Sequence, residues 1–147
     1  MEIVNQLWEK KYKNFRKSYT SLERGIAIKY QYKGDEELHE IFLSAVIKRF
    51  ELCYEMAWKF LKVYVERVYE EQCNSPRNVF TFLRDRGIIT ADFAQKLLEL
   101  VEIRNLTTHT YNEIMAQELV EDITKHYQAL GNLFVVLPGI KDNGTTD

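Results

Sequence analysis

Three residues close together in the chain carry side chains suited to phosphate-ester chemistry. They are Arg104, His109 and Tyr111, in the order Arg-x4-His-x-Tyr. A histidine titrating near neutral pH can take a proton from a ribose 2′-hydroxyl or give one to a leaving 5′-oxygen. A guanidinium can hold a phosphate bidentately and stabilise the charge that builds on it. Neither role needs a metal. The plainer alternative is a helix-end arginine on a carboxylate and a histidine capping a carbonyl. Residue types alone leave both open.

The elements around these residues must position them. On an unbroken helix five residues turn through ~500°, which leaves Arg104 and His109 ~140° apart. The stretch Asn105–Thr110 is poor in helix formers, and its threonines are β-branched. The sequence therefore predicts a break there, with Arg104 at the end of one helix and His109 just before the next. Thr110-Tyr111-Asn112-Glu113 has the T-x-x-E form of a capping box. That form puts Thr110 at the N-cap and Tyr111 at the first helical position, near the positive dipole end, which attracts phosphate. Asn105, four residues before His109, can orient it if the helix persists that far.

The rest of the chain reads as helix. Val4, Trp8, Tyr12, Phe15, Tyr19, Leu22 and Ile26 recur at steps of three and four, predicting a helix from about Ile3 to Lys33. The lysines and arginines between them read as a solvated face. Gly34 is a stop and Asp35 an N-cap for a long helix from about Glu36 to Gln72. Its expected inward stripe includes Leu38, Ile41, Leu52 and Val68 beside Phe42, Val46, Cys53, Phe60 and Tyr64. Ser75-Pro76 restarts the chain with a cap and a proline at the first position. Gly87 ends that short helix, and Thr90 caps the next. A final helix carries Ile114, Leu119, Ile123, Tyr127, Leu130 and Phe134 inward as far as Pro138. The expected fold is all-α: an antiparallel up-and-down four-helix bundle with an additional short helix. Residues 1–138 form one domain in this reading, and 139–147 a polar tail.

Composition fits this. The 147 residues are 46% hydrophobic, enough for one core and against disorder. The formal net charge of -2 provides no global basic excess, so any RNA must be held by a local patch or across an assembly. Cys53 and Cys73 match no metal or disulfide spacing and read as reduced thiols. Met1–Lys10 contains Glu2, Glu9 and Lys10 and no apolar signal region, and no apolar run suits a membrane span. A cytoplasmic protein, with no metal site and no cofactor, is the expectation.

The stretch Arg104-Asn105-Leu106-Thr107-Thr108-His109-Thr110-Tyr111 resembles the signature of HEPN proteins encoded beside minimal nucleotidyltransferases. Arg49-Phe50-Glu51-Leu52-Cys53-Tyr54-Glu55-Met56-Ala57-Trp58-Lys59 is similar to the R-F-E-x3-E-x2-W-K stretch of the same family, and Ser75-Pro76-Arg77 to its S-P-R restart. One departure is Ile103, where many relatives have an acidic residue; Glu102 stands one step earlier.

The resemblance implies a dimerising helical bundle. Some members are ribonuclease toxins, silenced when a partner nucleotidyltransferase modifies the motif tyrosine. Others were first described as substrate-binding proteins of nucleotidyltransferases. By position it makes Arg104 and His109 the nuclease pair and Tyr111 the modification target, with RNA as substrate. The partner is expected to bring both the base and the metal-bound nucleotide to Tyr111. Glu51 or Glu55 can reach Arg104 across the bundle. Glu55 and Lys59 also form a favourable i,i+4 pair, which is the simpler role for Glu55. A non-catalytic subunit that presents substrate to a nucleotidyltransferase, or controls one, is the alternative.

Overall fold

A computed structural model describes residues 2–28 and 34–140, with side chains from Trp8 onward. Its helices are α1 (Glu2–Ala27), α2 (Glu36–Tyr69), α3 (Pro76–Asp85), α4 (Ala91–Thr107), α5 (Glu113–His126) and α6 (Gln128–Val136). No strand occurs among the described residues. The side chain of Val4, the expected extension of the first helix to Lys33 and the segment Lys141–Asp147 lie outside the description. Ile140 still packs on the core, two residues beyond the expected end of the domain.

Three helix starts lie where the sequence puts them, because a cap is a local contact. Asp35, Ser75 and Thr90 each accept a hydrogen bond from the backbone N–H three residues on, at 3.1 Å. The end of α2 differs from expectation. It stops at Tyr69, because Glu70 adopts the left-handed conformation (φ 55°) and donates its N–H to the Glu66 carbonyl at 3.1 Å. Glycine usually fills that position.

The helices run up and down. Trp8 of α1 meets Phe60 and Tyr64 of α2, while Ser21 accepts a 2.8 Å hydrogen bond from Arg49. Helices α1 and α2 are therefore antiparallel. Phe15 of α1 lies against Phe134 of α6, with ring centroids 4.4 Å apart. The core joins Phe15, Phe50, Phe60, Tyr64 and Phe80 with leucines from α2, α3, α4 and α6. The α2 stripe is narrower than its sequence suggests. Leu38, Ile41, Leu52 and Val68 are exposed, as is Ile114 of α5. One helix face holds only part of so many apolar positions.

The expected last helix is divided at Tyr127. That residue keeps a right-handed backbone (φ -61°, ψ -26°), and Leu130 donates to its carbonyl at 3.0 Å, a tightened turn. Tyr127 and Gly131 both face Tyr19 of α1. A Cβ on Gly131 would fall 2.5 Å from the tyrosine ring and hydroxyl, so any larger residue there would have to displace Tyr19.

Candidate functional site at the α4–α5 connection

The three motif residues come from the last turns of α4 and the connection that follows. The break falls within the expected stretch: α4 runs through Thr107, with Arg104 in its last turn, and His109 lies in the connection before α5. The threonines that lower helix propensity satisfy the carbonyls a helix end leaves open. Thr107 donates to the Arg104 carbonyl (2.7 Å), Thr108 to that of Asn105 (3.0 Å) and Thr110 to that of Leu106 (3.0 Å). The backbone N–H of His109 adds a 3.0 Å bond to Leu106.

Thr110 therefore belongs to the end of α4 and does not cap α5. Asn112 is the cap, accepting from the Met115 N–H at 2.9 Å. Tyr111 consequently precedes the cap and is not the first helical residue. It stands 77% exposed.

Arg104 is held across the bundle. Its Nη1 lies 3.2 Å from Glu51 Oε2 and donates to Thr107 Oγ1 at 2.7 Å. The Thr107 hydroxyl is also 3.2 Å from the same Glu51 oxygen. Both charged side chains are largely covered (29% and 24% exposed), so screening weakens this pair less than one on the open surface. A guanidinium has five N–H donors, so fixing Nη1 leaves the Nε and Nη2 edge for an anion.

Glu51 lies in the block Arg49-Phe50-Glu51, whose three side chains part company. Arg49 binds α1, Phe50 enters the core and Glu51 reaches Arg104. Tyr54, one turn beyond, lies near Arg104. Its burial pushes the phenol up to about 12, and the arginine charge opposes that rise.

His109 and Tyr111 form a second, exposed unit. Nδ1 of His109 is 3.1 Å from the Tyr111 hydroxyl. The rings meet edge to face with centroids 6.3 Å apart. No hydrogen bond joins this unit to Arg104. Asn105 is exposed, and its side chain makes no hydrogen bond to His109; the helix ends before it can. Glu55 stays with Lys59, at 3.4 Å, and does not reach Arg104. Glu102, the acid displaced by one step, pairs with Arg77 of the Ser75-Pro76-Arg77 restart at 2.9 Å and ties α3 to α4.

A cleft of about 340 Å³ runs between α2 and the connection, lined by Glu40, Ser44, Lys48, Glu51, Thr107 and Tyr111, among others. Among the described residues, no group of three or more His, Cys, Asp or Glu side chains is placed to hold a metal ion. None of the described helices is long and apolar enough to cross a membrane.

Sequence reasoning missed Thr107 and Asn112. Thr107 had one legible signal: a threonine three residues after an arginine in a last helical turn can bond back to that residue's carbonyl.

The bundle anchors an arginine in one helix end and carries a histidine in the following connection, and its helical fold is shared with a HEPN toxin of known structure. The model of the family described as "Nucleotidyltransferase substrate binding protein like" matches residues 10–134, and the chain belongs to that family. No curated protein matches it by sequence. Among solved structures it is similar to a Thermus thermophilus protein, with 27% identity and a TM-score of 0.60 over 76% of this chain and 94% of the other. It is also similar to the tri-AMPylated Shewanella oneidensis HEPN toxin in complex with MNT antitoxin, at 21% identity and a TM-score of 0.59, covering 80% of this chain and 91% of that one. A mutant of the MntA–HpeT toxin–antitoxin matches at 20% identity and a TM-score of 0.59, covering 82% and 93%. At these identities the last two likenesses show the fold alone.

Proposed function

We propose that this chain is the HEPN-type toxin of a toxin–antitoxin pair, a metal-independent endoribonuclease of the cytoplasm. The observation that carries the reading is the Arg104 anchor. Glu51 and Thr107 fix one edge of a guanidinium in the last turn of α4, five residues before an exposed histidine. That arrangement suits a phosphate held by Arg104, with His109 taking the 2′-hydroxyl proton. The 2′-oxygen then attacks phosphorus, the bond to the 5′-oxygen breaks, that oxygen takes a proton from water or the imidazolium, and a 2′,3′-cyclic phosphate and a 5′-hydroxyl remain. The chain acts as a homodimer whose paired motifs concentrate the basic groups that one copy with a net charge of -2 lacks.

In the same reading, a minimal nucleotidyltransferase encoded nearby silences the toxin by nucleotidylating Tyr111. The exposure of that hydroxyl supports this, since a second active site must reach it. The test is RNA cleavage by the purified chain. Activity is expected to continue in EDTA, to leave 2′,3′-cyclic ends, and to vanish in Arg104→Ala and His109→Ala with the helical CD spectrum unchanged. Loss of cleavage on chelation, restored by magnesium, would overturn the mechanism.

A second reading is a non-catalytic substrate-binding or regulatory subunit of a nucleotidyltransferase. The cleft favours it, because two carboxylates, Glu40 and Glu113, line the space beside Tyr111 against one lysine, Lys48, while Glu51 is paired with Arg104. Such a lining repels RNA phosphate. Growth of a host expressing the chain without a partner separates the two readings. Arrest that disappears with His109→Ala marks the enzyme, and unaffected growth marks the subunit.

A further inference from the structure

A phenol is a poor nucleophile near neutral pH, because its pKa of ~10 leaves it almost entirely protonated. Transfer of a nucleotide to Tyr111 therefore needs a base within hydrogen-bond reach of the hydroxyl. Among the described residues, the hydroxyl has one hydrogen-bond partner, Nδ1 of His109, at 3.1 Å. The carboxylates sharing the cleft with Tyr111 make no hydrogen bond to it. Glu51 is engaged by Arg104 and Thr107, and Glu40 and Glu113 only line the same space.

We infer that His109 is the general base for nucleotidylation of Tyr111, so that the chain itself supplies the base for its own modification. This rests on the reading above in which Tyr111 receives a nucleotide. In the tautomer with the proton on Nε2, the Nδ1 lone pair accepts the phenol O–H. The Tyr111 oxygen forms a bond to the α-phosphorus of ATP. The bond from that phosphorus to the oxygen bridging to the β-phosphate breaks, and pyrophosphate leaves. The phenol proton passes to Nδ1, giving an imidazolium that later loses it to water. The partner brings ATP and its magnesium.

The other tautomer serves the other reaction. With the proton on Nδ1, His109 donates to the Tyr111 oxygen and leaves the Nε2 lone pair free for a ribose hydroxyl. One imidazole thus faces the substrate of cleavage with one nitrogen and the site of silencing with the other. Substitutions of His109 that abolish cleavage are then also expected to make the chain a poor substrate for its partner.

The experiment incubates the full chain with the nucleotidyltransferase of the neighbouring reading frame, ATP and magnesium, and follows adduct formation by intact mass and peptide mapping. The wild-type chain gains adenylate on Tyr111. His109→Gln and His109→Gly are expected to lose ~100-fold or more of the initial rate, the usual contribution of a positioned base. Added imidazole is expected to restore His109→Gly and leave the wild-type rate unchanged, an effect that a merely structural role does not produce. Both variants are expected to retain the helical CD spectrum and to co-elute with the partner. Adduct formation on both variants at the wild-type rate, with Tyr111→Phe unmodified, overturns the role of His109 and leaves the function intact. Slow variants that imidazole fails to rescue overturn it too. A wild-type chain without an adduct on Tyr111 overturns the reading on which it rests.

Discussion

At the scale of single residues, the site depends on a hydroxyl that carries no charge. Thr107 accepts from Arg104 Nη1 at 2.7 Å, and its one proton lies between the Arg104 carbonyl at 2.7 Å and Glu51 at 3.2 Å. It therefore links the guanidinium, its counter-charge and the helix end. Thr107→Val keeps the shape and removes all three bonds. A net contribution of ~0.5–1.5 kcal/mol for a single hydrogen bond corresponds to about twofold to tenfold, so the efficiency of RNA cleavage is expected to fall by at least that much. Thr107→Ser, which keeps the hydroxyl, is expected to retain most activity. Glu51→Gln removes the charge that holds Arg104 and is expected to lose more than Thr107→Val. Initial cleavage rates of the three variants check the order; an active Thr107→Val beside an inactive Thr107→Ser would contradict it. Arg104, His109 and Tyr111 stand out in the sequence as candidates by type, spacing and family resemblance, and the structure pairs His109 with Tyr111 while Arg104 pairs with Glu51. Thr107 does not stand out, because its role depends on a contact with Glu51, 56 positions away.

At the scale of elements, local signals read correctly and competing local signals did not. Asp35, Ser75 and Thr90 open helices as their sequences imply, because each cap reaches only three residues ahead. At the α4–α5 connection two threonine roles compete. Thr110 can cap the following helix or close the preceding one, and its bond to Leu106 shows which role prevails. The division at Tyr127 lies beyond sequence patterning, since His126-Tyr127-Gln128 contains neither glycine nor proline. The packing of Tyr127 and Gly131 on Tyr19 accompanies it. The corrected cap makes a prediction. Asn112→Ala removes the Asn112 side-chain acceptor for Met115 and is expected to cost ~1 kcal/mol of stability. Thr110→Ala, at the position of the expected capping box, leaves that cap in place and is expected to cost less. Urea denaturation of both variants decides the matter, and a larger loss from Thr110→Ala would place the cap back at Thr110.

At the scale of the whole molecule, two expectations concern assembly and pH. Ile41, Leu52, Leu106 and Ile114 leave apolar side chains exposed around the site, at 59%, 52%, 49% and 73%. Their exposure fits the proposed homodimer, in which a second copy is expected to cover them. Light scattering is expected to give twice the chain mass at micromolar concentration, and a monomer there counts against it. The pH expectation follows from the bundle's interior. Burial pushes the Cys53 thiol from its ordinary 9.0 up to about 12, with a weaker lowering by Ser18. Burial is also the main cause that raises the phenols of Tyr54, Tyr19 and Tyr64. Each of these groups is neutral when protonated, so the fold favours the protonated form. In the unfolded chain the thiol loses its proton near pH 9 and the phenols near pH 10, while the folded chain keeps them. The unfolded state then binds fewer protons, and stability falls as pH rises. The contribution is complete below about pH 9 and is lost progressively through about pH 12, the upper end of the window set by the Cys53 and Tyr54 values. Melting temperatures are expected to be level from pH 7 to pH 8.5 and to decline steadily up to pH 11. Tyr54→Phe removes one of these titrations, so its decline is expected to be shallower than that of the wild type. A melting temperature that stays level to pH 11 would show that these groups ionise in the folded bundle as they do in water.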